Sequence, residues 1–174
     1  MSVFLALDLD EAVRHEVMSL TERARASVTA KWLPAEKLHL TLVFLGNPDV
    51  EAVKAKLLAA PVQAPVKLVL QGAGTFVTAR APSVVWLGVG GERTRLDALQ
   101  QWSRELLGVE ERQPWKPHVT LARAHSAEGA LDSLAAEWSS FRSTEFEAKH
   151  LTLYESTHQR FHVLLRVALA ASRE

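Results

Sequence analysis

Three short stretches carry a histidine and a threonine two positions apart. They are HLTL at 39–42, HVTL at 118–121 and HLTL at 150–153. In an extended strand, alternate side chains share a face. Each stretch therefore presents an imidazole and a hydroxyl together. Two imidazoles suit phosphodiester chemistry. A histidine titrates near 6.5, so at neutral pH one ring can be neutral and the other protonated. The neutral ring takes a proton from the nucleophile, and the charged ring gives one to the leaving oxygen. Threonine hydroxyls donate to the non-bridging phosphate oxygens. Two histidines on separate strands, with no carboxylate beside either, make a poor ligand set. No metal site and no cofactor are expected. One copy alone carries little weight, because a strand threonine beside a half-buried histidine is ordinary packing.

The elements that must hold these residues decide which copies matter. Residues 3–9 alternate as a strand, with Phe4, Ala6 and Asp8 on one face and Val3, Leu5, Leu7 and Leu9 on the other. Val13, Val17, Leu20, Ala24 and Val28 recur at helical spacing over 10–29, and 31–37 reads as a loop. The first motif lies on a strand over 38–46. Asn47 and Pro48 then form the N-cap and first position of a helix that Pro61 stops. A strand follows at 66–74. The order then repeats: strand 83–90, helix 92–108, loop 109–117, and the second motif strand at 118–124. A helix capped by Ser126 comes next, carrying Leu131, Leu134 and Trp138, and then a strand at 146–156. A last strand at 160–169 closes the chain. His39 and His118 are 79 residues apart, and Asn47 and Ser126 are separated by the same interval. This is an internal duplication in element order. His39 and His118 hold equivalent places, whereas His150 falls where the first half has VKLVLQ. The two identical tetrapeptides are not the matched pair.

Composition narrows the class. The 174 residues are 48% hydrophobic, enough for one domain or two small lobes with a shared core. With no cysteine, disulfides and thiolate metal sites are excluded. No apolar run is long enough for a membrane span, and no basic segment precedes the short N-terminal one, so a cytoplasmic protein is expected. Twenty basic and twenty acidic residues cancel. A protein that coats long nucleic acid shows a basic excess. A small or terminal nucleotide held by a few local cations remains open.

The stretches FLALDLD, KWLPAEKLHLTLVFLG, SVVWLGVG, PWKPHVTLARA and LTLYES, in this order, resemble the RNA 2′,3′-cyclic phosphodiesterases, the LigT-like or bacterial 2′-5′ RNA ligases. These belong to the 2H phosphoesterase superfamily, named for two His-x-Thr/Ser motifs. The resemblance runs over roughly residues 3 to 170. It implies a bilobal α+β fold, with two antiparallel sheets around a central groove and helices outside. Residues 1–174 would then form a single 2H phosphoesterase domain of two pseudo-symmetric lobes. It also implies metal-independent opening of a 2′,3′-cyclic phosphate to the 2′-phosphate, with ATP-independent 2′-5′ joining of RNA ends as the reverse. By position, His39, Thr41, His118 and Thr120 would be catalytic. Arg123, five residues after His118, would hold a phosphate or ribose oxygen as a forked donor. His118 is taken as base and His39 as acid, an assignment that the duplication leaves reversible.

Trp32 and Trp115 precede the motif strands and are candidates for stacking on a base; the alternative for each is packing at a lobe edge. Trp86, Trp102 and Trp138 read as packing residues. His150 is set aside as catalytic, although His150, Thr152 and Tyr154 share a strand face that can line the groove. His158 and His162 read as rim. The glycines of VLQGAGTF lack the spacing and lysine of a phosphate-binding loop. Expected partners are RNA ends or small cyclic nucleotides, with no membrane, and a monomer is expected. Two rival readings stand beside this one. One is the same chemistry on another substrate, an ADP-ribose cyclic phosphate or a 2′-5′ oligonucleotide; the other is a protein that binds RNA ends without turnover.

Overall fold

The computed structural model describes residues 2–77, 79, 82–125 and 128–171. The alternation at the N-terminus forms strand β1 (Ser2–Asp8), with Val3, Leu5 and Leu7 in the main core and Phe4 and Ala6 in a separate cluster on the opposite face. Asp10 caps helix α1 (Glu11–Ser27), accepting from Val13 N at 2.8 Å. The stretch expected as a loop contains a two-residue strand, β2 (Lys31–Trp32), and a 3-10 turn at Ala35–Lys37. Then come β3 (His39–Gly46), α2 (Val50–Ala59), β4 (Val66–Phe76), β5 (Ser83–Gly91), α3 (Arg93–Leu106), β6 (His118–Ala124) and α4 (Glu128–Glu137). Strands β7 (Phe146–Ala148), β8 (His150–Ser156) and β9 (Phe161–Ala168) complete the chain. No helix among the described residues is long and apolar enough to cross a membrane.

Two antiparallel sheets result, of order β3-β1-β8-β9 and β2-β6-β5-β4-β7, which is the expected α+β arrangement. The duplication is interlocked. Strand β4 belongs to the first half in sequence but pairs with β5, while β8 belongs to the second half and pairs with β1. The first half lends β2 and β4 to the sheet of the second, and the second lends β8 and β9 to the sheet of the first. Apolar residues from both sheets and all four helices merge into one core that includes Leu5, Leu40, Val53, Leu87, Leu96 and Leu121.

Two expectations need correction. The cap of α2 is Asp49, not Asn47: its carboxylate accepts from Ala52 N at 3.2 Å. An aspartate caps as well as an asparagine, and Asp49 lies next to the face that buries Val53 and Leu57. Pro48 thus precedes the helix. Ser126 lies outside the described residues. The single strand expected over 146–156 is two strands in different sheets, with Lys149 at the crossing. The apolar positions change phase at the crossing, from Phe146 and Ala148 to Leu151 and Leu153, and the two consecutive exposed residues Lys149 and His150 mark it.

Candidate active site

The two matched motifs occupy equivalent places. On β3, His39 stands opposite Asp8 and Thr41 opposite Ala6 of β1. On β6, His118 stands opposite Gly88 and Thr120 opposite Trp86 of β5. In both strands the histidine and threonine are half-buried, and the residue between them is buried in the core. Strands β3 and β6 pack against each other where the sheets meet.

Each ring is oriented by the carbonyl two residues before it. His39 Nδ1 lies 2.6 Å from Lys37 O, and His118 Nδ1 lies 2.8 Å from Lys116 O. A carbonyl only accepts, so Nδ1 carries the proton. In the neutral ring, Nε2 is therefore left as the acceptor. Thr41 Oγ1 sits 2.9 Å from His39 Nε2 and donates to it in that form. The two lysines also match: Lys37 Nζ lies 5.2 Å from the centre of the Phe161 ring, and Lys116 Nζ 4.5 Å from that of Trp86. These are cation–π contacts.

Aromatic side chains wall both rings. Phe4 lies against His39 at 4.8 Å between centroids and Phe161 meets it edge-on at 5.3 Å. Phe76 meets His118 edge-on at 4.9 Å, with Trp86 at 6.1 Å. Burial pushes both imidazoles below the usual histidine value. The Lys37 carbonyl and the Asp8 charge oppose this at His39, while His118 and Arg123 reinforce it. At His118 the Lys116 carbonyl opposes it, and Arg123 and Lys116 reinforce it. Arg123 thus acts on both rings, and the first motif lies within the field of the second.

Two cavities open beside the pair. One, of about 640 Å³, is lined by His39, Arg123, Lys31, Lys37 and Phe161. None of its lining residues is acidic. The other, of about 730 Å³, is lined by His118, Phe44, Phe76, Trp115 and Lys116 and also by Glu110 and Glu111. Trp32 borders the first cavity, but its indole is engaged elsewhere. Its Nε1 donates to Val28 O at 3.0 Å, Arg25 covers its ring, and Trp138 packs at its edge. Trp115 is packed against the main core along one side and borders the second cavity.

His150 is exposed in a third cavity, beside Lys67, Glu92 and Arg95, that shares no lining residue with these two. Thr152 and Tyr154 do face the groove side. Their hydroxyls both donate to the Asp8 carboxylate, Thr152 at 2.8 Å. Burial and the Asp8 charge push the Tyr154 phenol up to about 12, so it remains a donor. Trp86 is buried, as expected of a packing residue, but not in the main core. Val85 and Leu87 enter the main core, whereas Trp86 turns to the other face and floors His118. Sequence reading passed over Lys37, Lys116 and Asp8. The lysines recur at the same offset before each histidine, and Asp8 is an acid on an otherwise apolar strand face, where a charge needs partners.

The profile of the 2′-5′ RNA ligase superfamily matches residues 10–160, a span that contains both motifs. The chain belongs to that superfamily. It is 30% identical over 162 residues to the RNA 2′,3′-cyclic phosphodiesterase of Methanocaldococcus jannaschii, covering 90% of this chain and 92% of that protein. It is 31% identical over 164 residues to the RNA 2′,3′-cyclic phosphodiesterase of Escherichia coli, covering 91% and 88%. The crystal structure of Escherichia coli LigT in apo form superposes with a TM-score of 0.79 at 26% identity, over 98% of both chains. The fold read from the sequence is therefore that of this superfamily.

Proposed function

We propose that this superfamily member hydrolyses the 2′,3′-cyclic phosphate at an RNA end to a 2′-phosphate, without a metal. The observation that carries the reading is the matched pair of rings, each fixed by a lysine carbonyl and each leaving Nε2 for proton transfer, with Arg123 acting on both. His118 Nε2 takes a proton from water as the water oxygen bonds to phosphorus. The bond from phosphorus to the 3′ oxygen breaks, and His39 Nε2 gives that oxygen its proton. The products are a 2′-phosphate and a free 3′ hydroxyl. Thr41, Thr120 and Arg123 donate to the phosphate oxygens, where negative charge is held. Trp115 offers a face for the terminal base in the second cavity. With the 5′-hydroxyl of a second RNA in place of water, its oxygen bonds to phosphorus, its proton passes to His118 and the 3′ oxygen leaves with a proton from His39, which constitutes 2′-5′ ligation. Water at high concentration favours hydrolysis. Among the described residues no three histidine or acidic side chains cluster as a metal ion needs.

The test is incubation of the protein with chelator and a short RNA ending in a 2′,3′-cyclic phosphate, followed by identification of the new end. A 2′-phosphate is the expected product. A 3′-phosphate, or turnover only after a divalent metal is added, overturns the reading. An intact cyclic end also overturns it, and a panel of other cyclic phosphates then distinguishes a different substrate from binding without turnover.

A further inference from the structure

We propose that Asp8 is a positioning residue that makes His39, rather than His118, the proton donor. The inference rests on the reaction proposed above. Its basis is an asymmetry in an otherwise matched pair. Asp8 stands directly across the β1–β3 ladder from His39, on the face that carries the ring. Its carboxylate is held in place from β8 by the hydroxyls of Thr152 and Tyr154, and from β9 by Arg166 at 3.7 Å. These contacts fix a negative charge beside one imidazole.

The other half has no equivalent. Gly88 takes the place of Asp8, across the ladder from His118. A Cβ there would fall 2.6 Å from the carbonyl oxygen of Gln71, so a carboxylate has no room without a shift of backbone. The register carries the difference further. Thr152 pairs with Ala6 and Tyr154 with Phe4, while Gly74 pairs with Trp86 and Phe76 with Val84. The hydroxyls that hold Asp8 therefore correspond to a glycine and a phenylalanine. Where the first half places an acid and two hydroxyls, the second places Gly88, Gly74 and Phe76.

The charges around each ring follow. His39 faces Asp8 on β1 and, across the groove, His118 and Arg123 on β6; Tyr154 and Arg166 reach it only through the Asp8 carboxylate, and Lys37 lies over Phe161. His118 faces Lys116 and Arg123, both cationic. A nearby anion favours the imidazolium, and cations favour the neutral ring. Burial opposes charge at both rings, but only His39 has an anion facing it, so of the two His39 is the one its neighbours suit to arrive charged and His118 the one suited to arrive as a base.

The test is Asp8→Asn, with each histidine titrated by NMR and kcat/KM followed across pH. Loss of the charge is expected to lower the His39 titration by about one pH unit and to move His118 less. The alkaline limb of kcat/KM moves down with it. The rate at pH 8 falls about tenfold, while the rate below the limb is retained. Asp8→Glu, which keeps the charge, restores the limb. Arg166→Gln removes a half-exposed cation from the carboxylate and is expected to raise the His39 titration, which provides a readout even where Asp8→Asn fails to fold. An unmoved His39 titration overturns the proposal. So does a shift of the acidic limb instead of the alkaline one, because His39 would then be the base. A wild-type protein inert toward cyclic-phosphate RNA defeats the proposed reaction, and the NMR titration still reports whether Asp8 acts on His39.

Discussion

Trp86 lies flat over Gly74. A Cβ added to Gly74 would sit 2.4 Å from the indole ring, closer than side chains approach. The glycine is present because the neighbouring strand carries a large side chain on the groove face, and that side chain forms the wall beside His118. Gly74→Ala must displace the ring, since the backbone beneath it is a paired strand. Overpacking of this kind costs about 1–3 kcal/mol. The expected outcome is a lower denaturation midpoint together with a loss of kcat/KM on cyclic-phosphate RNA. Unchanged activity in a destabilised protein would show that the position of Trp86 does not matter to His118.

His39→Ala and His118→Ala each remove one end of the proton transfer. A positioned acid or base contributes typically 10²–10⁴-fold, so each kcat should fall by about that much. The double variant should lose far less than the product of the two, because the rings act as a unit. His150→Ala should leave turnover unchanged. Single-turnover rates on one RNA substrate check all four.

Much of this was legible because duplication leaves a pattern. His39 and His118 stood out by their matched places, and the α+β architecture followed from the element order. The misses share a physical cause. Alternation says which residues share a face but not what the face meets: it places Trp86 in packing without saying that it packs beside His118, and the change of phase at Lys149 and His150 marks a break without saying that the two strands join different sheets. Asp49 and Asn47 are chemically equivalent as caps, and only the observed hydrogen bond separates them. The Asp8 network joins β1 to residues of β8 and β9 that lie more than a hundred positions away in sequence. No local signal links them.

Burial lowers the proton affinity of both catalytic rings, and the consequences for stability and activity have definite signs. An unfolded histidine titrates near 6.5. As the pH falls below that value, the unfolded chain binds protons that the folded rings resist. Stability is therefore expected to fall with decreasing pH, and the loss is complete once the pH is below the folded titrations. It does not change as the pH rises above about 7 on account of these groups. Activity needs one ring neutral and one charged. The bell-shaped profile of kcat/KM should then be centred below pH 6.5. A bound phosphate favours the imidazolium, so the profile of kcat should lie at higher pH than that of kcat/KM. Urea melts between pH 5 and 8 and full rate profiles check the two halves of this prediction. A kcat/KM optimum above pH 7 would contradict the burial of the rings.

The cavity beside His39 carries Lys31, Lys37 and Arg123 and no acidic residue, while the chain as a whole has no net charge. The cations there are local, as a substrate with phosphates behind its terminal one would require. Each phosphate neutralised in single-stranded RNA releases counterions and adds about 0.7 to the logarithmic salt slope of binding. A cyclic mononucleotide should therefore show a shallow slope and a short RNA a steeper one. Lys31→Ala removes a cation that lies outside the paired motifs, across the β2–β6 ladder from Arg123. It is expected to raise KM for the RNA, reduce its salt slope by about that amount, and leave the mononucleotide little changed. Arg123→Ala should weaken both substrates and lower kcat, because its charge reaches both histidines. If Lys31→Ala affects the two substrates equally, the RNA does not run through this cavity, and the path beside His118 and Trp115 is the one to test.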